Sequence, residues 1–244
     1  MGSSRRPEGA ARRALLFDLD GTLTKGGGAG GRALGRALHA RPQAVEELRK
    51  MSLDGMTDRS IARIVLAAEG DQAVALEARL LAVREAEIDA VLARYVEALA
   101  VECGQNPYLP LPGVADLVQR LQSREDALLG LCTGNLARGA ELKLISAGLW
   151  GPWKFGGYGS DAEPRAEIVR TAWRRAQELG ATEGLVIGDT PRDILAAHEA
   201  GLPVCGVATG RWSVHDLATH GAELVAQDFG DAAVAERLLM GPIR

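Results

Sequence analysis

The chain has 244 residues, with 28 Lys and Arg against 32 Asp and Glu, a formal charge of −4, and 47% hydrophobic but only 4% aromatic residues. That length allows one large domain, or one domain carrying a second inserted into it. Ordinary apolar and charged fractions exclude wholesale disorder, and the mildly acidic balance excludes a basic footprint for nonspecific nucleic-acid binding.

The start, Met1-Gly2-Ser3-Ser4-Arg5-Arg6, is basic but no long apolar stretch follows it. Neither a signal peptide nor a membrane span is expected, and Arg6 does not suit myristoylation. About twelve N-terminal residues are expected to fray. The first element is Ala14-Leu15-Leu16-Phe17, a short apolar run that reads as a strand buried on both faces. It ends in Asp18-Leu19-Asp20-Gly21-Thr22.

From Gly26 to Gly31 the chain is nearly all glycine, which predicts a flexible connection. The stretch from Arg32 to about Ala100 has helical spacing throughout. Ile61, Ile64, Val65 and Ala68 mark one apolar face, and Ile88, Val91, Leu92, Tyr95, Val96 and Leu99 another. Such faces must pack on one another, giving a bundle of roughly four helices. The three prolines between Cys103 and Pro112 predict a linker that closes it.

Beyond Pro112, helices and strands alternate. Helices are expected at Val114–Leu121, Asn135–Ala147, Glu163–Leu179, Ile194–Ala200, near Val214 and from Asp231. Strands are expected at Ala127–Cys132, near Phe155, and at Gly184–Ile187, Val204–Ala208 and Leu224–Ala226. Repeated units of this kind build a doubly wound α/β parallel sheet with helices on both faces. The core is therefore residues 1–25 and 110–244, with residues 26–109 as an inserted α-helical domain. Cys103, Cys132 and Cys205 form no CxxC pair and are expected as small buried hydrophobes in a reducing, cytoplasmic compartment.

Ligands of such sheets bind at the carboxyl ends of the strands. Here those ends are Asp18-Leu19-Asp20, Thr133-Gly134-Asn135, Gly188-Asp189-Thr190 and Thr209-Gly210-Arg211. Asp18, Asp20, Asp189 and Asp193 would repel one another in one pocket, so a hard divalent cation such as Mg²⁺ is expected with them. No His or Cys accompanies them, which argues against zinc. The plain alternative is that each aspartate only caps a helix or turn.

Three segments carry a resemblance. Phe17-Asp18-Leu19-Asp20-Gly21-Thr22-Leu23, Leu129-Gly130-Leu131-Cys132-Thr133-Gly134-Asn135 and Val186-Ile187-Gly188-Asp189-Thr190-Pro191-Arg192-Asp193 resemble the first, second and fourth motifs of the haloacid dehalogenase-like hydrolases. The helical insertion sits at the cap position of the phosphoglycolate phosphatase-like branch. The resemblance implies a Rossmann-like core and a Mg²⁺-dependent phosphatase acting on a small phosphorylated metabolite, as a monomer or homodimer, with 2-phosphoglycolate the first candidate. It makes Asp18 the nucleophile and Asp20 the general acid and base. The Asp20 carbonyl with Asp18, Asp189 and Asp193 would hold the metal. Thr133, Gly134 and Asn135 would hold phosphoryl oxygens.

One departure stands out. The third motif normally supplies a lysine, and the corresponding stretch Ser160-Asp161-Ala162-Glu163-Pro164-Arg165-Ala166-Glu167 has none. Arg165 is the leading substitute as a phosphate-binding cation, with Lys25, Arg211 and Lys154 as rivals and Lys143 too far along its helix. In the insertion, Thr57 or Asp58 is expected as a helix N-cap and Arg59 as a contact to a substrate carboxylate, with Lys25 a second specificity candidate. A sugar phosphomutase shares the four aspartates and is the main alternative. A 2-haloacid dehalogenase typically lacks the second aspartate, and a catalytically impaired binding module would follow only if the missing lysine were disabling.

Overall fold

The computed structural model describes residues 12–242, so the expected frayed start lies, except for Arg12, outside the described residues. Strand β1 (Arg13–Phe17) leads through the Asp18–Leu23 turn into a two-residue strand, β2 (Thr24–Lys25). Five helices follow: α1 (Ala29–Ala37), α2 (Pro42–Lys50), α3 (Asp58–Ala67), α4 (Leu76–Ala82) and α5 (Glu85–Gln105). The chain returns through β3 (Leu109–Pro110), which pairs antiparallel with β2, so the two crossings of the insertion are tied to each other. The rest runs α6 (Val114–Gln122), β4 (Ala127–Thr133), α7 (Ala137–Ser146), β5 (Phe155–Tyr158), α8 (Arg165–Glu178), β6 (Glu183–Gly188), α9 (Pro191–Glu199), β7 (Val204–Val207), α10 (Val214–Thr219), β8 (Leu224–Ala226) and α11 (Ala232–Met240).

The main sheet is six-stranded and parallel throughout, in the order β5-β4-β1-β6-β7-β8. Central β1 pairs with β4 on one side and β6 on the other, with Phe17 opposite both Leu131 and Ile187. The strand order reverses at β1, and a crevice opens where the strands on either side diverge. Alternation along β1 feeds two cores. Leu15 and Phe17 join α6, α7 and α11 through Leu117, Leu121, Leu144 and Leu239. Ala14 and Leu16 join α8, α9 and α10 through Ile168, Ala172, Ile194 and Leu217. The first core continues without a break into the insertion, through Leu34, Ile61, Val65, Ile88, Val91 and Leu99.

Three expectations are corrected at the insertion and its crossings. The spacing predicts about four helices, and five are present, because the periodic stretch breaks at Val83–Arg84 without a glycine or proline. The glycine run is also not a flexible connection throughout: α1 begins at Ala29 and includes Gly30 and Gly31. At the other crossing α5 continues to Gln105, so Cys103 is helical and the linker starts at Asn106. Among the described residues no helix is long and apolar enough to cross a membrane. All three cysteines are buried and unpaired.

Candidate active site

The strand ends and the insertion enclose a cavity of about 590 Å³, lined among others by Asp18, Asp20, Thr133, Gly134, Asn135, Asp189, Thr209 and Gly210. Asp18 directly follows β1, and its N–H donates to the Ile187 carbonyl at 2.8 Å, which continues the β1–β6 pairing one residue past the strand. Gly21 turns the chain just beyond, at φ +86°, and a Cβ there would fall 2.4 Å from an Asp189 carboxylate oxygen. Only glycine lets the backbone after Asp20 turn this close to the Asp189 carboxylate.

Asp18, Asp189 and Asp193 each offer a carboxylate oxygen within 4.8 Å of the others, and all three are buried. Burial pushes Asp189 up to about 8, helped by Asp193 and Asp18. It pushes Asp18 up to about 6, against the pull of Arg165. This is an all-oxygen donor set short of positive charge, which fits a hard divalent cation. Asp193 is committed elsewhere, however. Its Oδ2 accepts from the Thr190 N–H at 3.0 Å and hydroxyl at 2.8 Å, and its Oδ1 accepts from Arg165 Nε at 2.9 Å and also from Nη2. Asp18 and Asp189 are the carboxylates with open positions, and Asp193 anchors Arg165 behind them. Thr22 donates to Asp189 Oδ1 at 3.2 Å.

Arg165, the first residue of α8, is brought to the site. Its Nη2 lies 3.1 Å from Asp18 Oδ1, and Nη1 donates to the Gly55 carbonyl of the insertion at 3.2 Å. The expectation that Lys143 stands too far along its helix is wrong. Lys143 is 3% exposed, and its Nζ lies 2.5 Å from both Asp20 Oδ2 and Asn135 Oδ1. Side chains tilt toward the N-terminus of a helix, and a lysine stem pointing that way spans the missing distance back to β4. The signal was present: Lys143 shares the buried face of α7 with Gly139, Ala140 and Leu144. Burial works against its charge, but Asp20, Tyr95, Tyr108 and Asp58 together outweigh that effect and hold its pKa well above the lysine range.

Asn135 Nδ2 donates to Asp20 Oδ2 at 2.9 Å and to the Thr133 hydroxyl at 2.8 Å, so its side chain positions neighbours instead of facing the cavity as a free donor. Lys25 and Arg211 stand at the cavity wall, both exposed, and Arg211 donates to Ser52 Oγ and Asp54 Oδ2. Lys154 lines a separate recess of about 240 Å³ and is not brought in. Arg59 is not brought in either: its guanidinium is held by Asp89 at 2.8 Å and Glu85 at 2.5 Å, facing away from the cavity lining. Thr57 caps α3, accepting from the Ser60 N–H in a reciprocal capping box. Asp58 instead reaches across to the core, where its Oδ2 accepts the Leu136 N–H at 2.8 Å.

A parallel sheet that reverses at its first strand, with paired aspartates there and facing carboxylates and cations around them, is suited to holding a hard divalent cation and a phosphoryl group. A family model for haloacid dehalogenase-like hydrolases matches residues 12–201, and the chain belongs to that family. The phosphoglycolate phosphatase of Rhodospirillum rubrum is 29% identical over 234 residues, covering 89% of this chain and 88% of the relative. Two solved structures share the fold. A hydrolase from Pseudomonas syringae superposes with a TM-score of 0.67 at 22% identity, over 92% of this chain and 97% of that one. CbbY from Rhodobacter sphaeroides, solved with phosphate, gives 0.66 at 18% identity, over 89% and 95%. The protein is a phosphatase of this family.

Proposed function

We propose that this phosphatase is Mg²⁺-dependent and hydrolyses small phosphomonoesters, 2-phosphoglycolate first among them, through an aspartyl-phosphate on Asp18. The observation that carries the reading is Asp18 itself: buried at the end of β1, 3.1 Å from the Arg165 guanidinium, with an exposed Asp20 two residues on. A carboxylate so placed can meet phosphorus while a cation faces the phosphoryl oxygens.

In this reading an Asp18 oxygen forms a bond to phosphorus as the ester P–O bond breaks, and Asp20 gives its proton to the departing oxygen. Water then attacks the same phosphorus, passing its proton to Asp20, and Asp18 is released with inorganic phosphate. Thr133, Gly134 and Arg165 bind phosphoryl oxygens, while Asn135 and Lys143 hold Asp20 in place. Asp18, Asp189 and the Asp20 carbonyl would hold Mg²⁺, with Asp193 supporting from behind. The bound ion would supply charge neutralisation for the phosphoryl group and the crowded carboxylates. Residues 26–109 act as a cap on the core formed by 1–25 and 110–244, closing over the substrate and excluding water. The buried, unpaired cysteines support a cytoplasmic setting.

The test is phosphate release from p-nitrophenyl phosphate and a panel of small phosphate esters, with Mg²⁺ and with EDTA. Activity should vanish with EDTA and return with Mg²⁺, and Asp18→Asn and Asp20→Asn should each abolish turnover of alkyl phosphates. A fully active Asp18→Asn variant refutes the reading. Isomer formation from a hexose 1-phosphate without phosphate release would make the enzyme a phosphomutase instead.

A further inference from the structure

Five charged side chains of alternating sign run from the insertion onto the core. Asp89 and Glu85 of α5 hold Arg59 of α3, and Glu85 also holds Arg63 one turn further along α3. Arg63 in turn reaches Glu163, in the segment between β5 and α8. This last link crosses from the insertion to the core, and its geometry sets it apart. Arg63 grips both carboxylate oxygens, with Nε 3.0 Å from Oε1 and 3.2 Å from Oε2, and Nη2 2.8 Å from Oε2. The two side chains are 21% and 26% exposed, whereas Glu85 and Asp89 are largely in solvent. The Glu163 carbonyl accepts from the Thr57 hydroxyl at 3.3 Å, so α3 and its capping residue hold Glu163 by both its side chain and its backbone.

We propose that Glu163, gripped by Arg63, is a positioning residue that fixes the start of α8 and thereby aims Arg165 at the phosphoryl group on Asp18. The inference rests on the phosphatase reading and concerns its phosphate-facing cation. Glu163 does not line the cavity, but it stands two residues before Arg165, with Pro164 between them at φ −67°. A proline ring locks that angle, so a displacement of Glu163 carries Arg165 with it. Arg165 is the first residue of α8, where no earlier turn of helix braces the backbone. Its guanidinium is anchored on Asp193 at 2.9 Å and stands 3.1 Å from Asp18. That anchor holds the tip of the side chain, and Glu163 holds its base. A bidentate guanidinium–carboxylate pair fixes direction as well as distance, which a lysine in place of Arg63 would not do. A half-exposed ion pair adds little to stability by itself. Its effect here is on placement, and a misplacement of about 1 Å at a reacting centre can cost on the order of a hundredfold in rate.

The test is a double-mutant cycle in the full-length enzyme, read as kcat and KM for p-nitrophenyl phosphate with Mg²⁺. Glu163→Gln should lower kcat by roughly tenfold while KM moves by less than about threefold, as expected for a contact that matters most in the transition state. Arg63→Met should reproduce that loss, and Arg63→Lys should recover only part of it. In an Arg165→Met background, Glu163→Gln should cost less than about twofold, because the side chain it aims is gone. Asp89→Asn, which breaks the outer end of the same chain of charges, should leave kcat within about twofold of wild type. An equal loss from Glu163→Gln in both backgrounds overturns the proposal, since a residue serving only the fold would behave that way. So does a rise in KM with kcat unchanged, which would make the pair a dock for the insertion and nothing more. Wild-type kcat in both Glu163→Gln and Arg63→Met overturns it as well. Absence of any Mg²⁺-dependent phosphate release by the wild-type enzyme, by contrast, refutes the underlying phosphatase reading.

Discussion

Replacing Arg165 with Met tests whether this arginine supplies the charge that the family's third-motif lysine usually brings. Methionine keeps much of the apolar stem and removes the guanidinium. That group bonds Asp193 through Nε and Nη2, reaches Asp18 Oδ1 at 3.1 Å, and bonds the Gly55 carbonyl at 3.2 Å. Losing one donor aimed at developing negative charge costs about 2.7–4 kcal/mol, or roughly 10²–10³ in kcat. Stability should fall too, because Asp18 and Asp193, at 6% and 2% side-chain exposure, are left facing each other. Breaking a buried ion pair costs about 3–5 kcal/mol, which in a domain of this size lowers Tm by roughly 6–20 °C. Arg165→Lys should fall between, retaining charge but not the fork that engages Asp193 and Asp18 together. The assay is steady-state release of p-nitrophenol at saturating Mg²⁺, alongside a thermal melt. A kcat for Arg165→Met within about threefold of wild type would refute the reasoning, and would move the phosphate-facing charge to Lys143.

Lys143→Met should behave differently, because Lys143 touches the proposed acid and not the nucleophile: turnover of an alkyl phosphate should fall at least about tenfold more than that of p-nitrophenyl phosphate, whose leaving group needs little protonation. Equal losses on both substrates would mean that Lys143 serves only the fold. Gly134→Ala places a Cβ 2.4 Å from the Met56 carbonyl, so the 54–58 loop should fail to seat, raising KM by about tenfold or more and enlarging the radius of gyration in X-ray scattering. An unchanged KM and scattering profile would refute a seated loop as the working state. Burial pushes the Asp58 carboxyl from 3.8 to about 6, so the unfolded chain releases this proton first and the folded state loses stability as pH rises through that window. The full effect is worth about 3 kcal/mol above pH 6. Asp58→Asn should therefore raise Tm over wild type more at pH 7.5 than at pH 4.5, and an equal difference at both would refute it.

How far the sequence revealed the site follows from what holds each part. Strand β1 was legible because it is apolar on both faces and ends in polar residues, a pattern with few other uses in a globular chain. Asp18, Asp20, Asp189 and Asp193 were legible because strand ends in a doubly wound sheet share one crevice. The periodicity of the insertion marks it as helical but does not set its helix count, since the break at Val83–Arg84 carries no local signal. The break before Pro42, at the start of α2, does carry one. The glycine run misled for a tertiary reason. Gly30 and Gly31 are poor helix formers in isolation, yet α1 includes them because its Ala29, Ala33, Leu34 and Ala37 are buried in the first core. Distance along α7 alone leaves Lys143 outside the site, whereas a lysine's reach depends on the direction in which its side chain tilts. Arg59 follows Asp58 in sequence, but one helical position turns it toward Glu85 and Asp89.

The seated 54–58 loop makes the electrostatics of the site depend on the insertion. Asp58 donates its N–H to the Gly134 carbonyl at 2.9 Å and accepts the Leu136 N–H on its carboxylate, at the end of β4 and the start of α7. Gly55 accepts from Arg165 at the start of α8, and Asp54 accepts from Arg192 at the start of α9. Thr57 donates its hydroxyl to the Glu163 carbonyl at 3.3 Å, while the Glu163 carboxylate is gripped by Arg63 of α3 at 2.8 Å. The loop thus touches three of the segments that carry the chemistry, and it completes the burial of Arg165. A guanidinium shielded from water acts on phosphoryl oxygens through a lower effective dielectric than an exposed one, so its pull strengthens several-fold as the loop seats. Withdrawing the loop returns water to Arg165 and frees it from Gly55. If residues 26–109 close as proposed, the movement that seals the cavity would also strengthen the pull of the Arg165 guanidinium that faces Asp18.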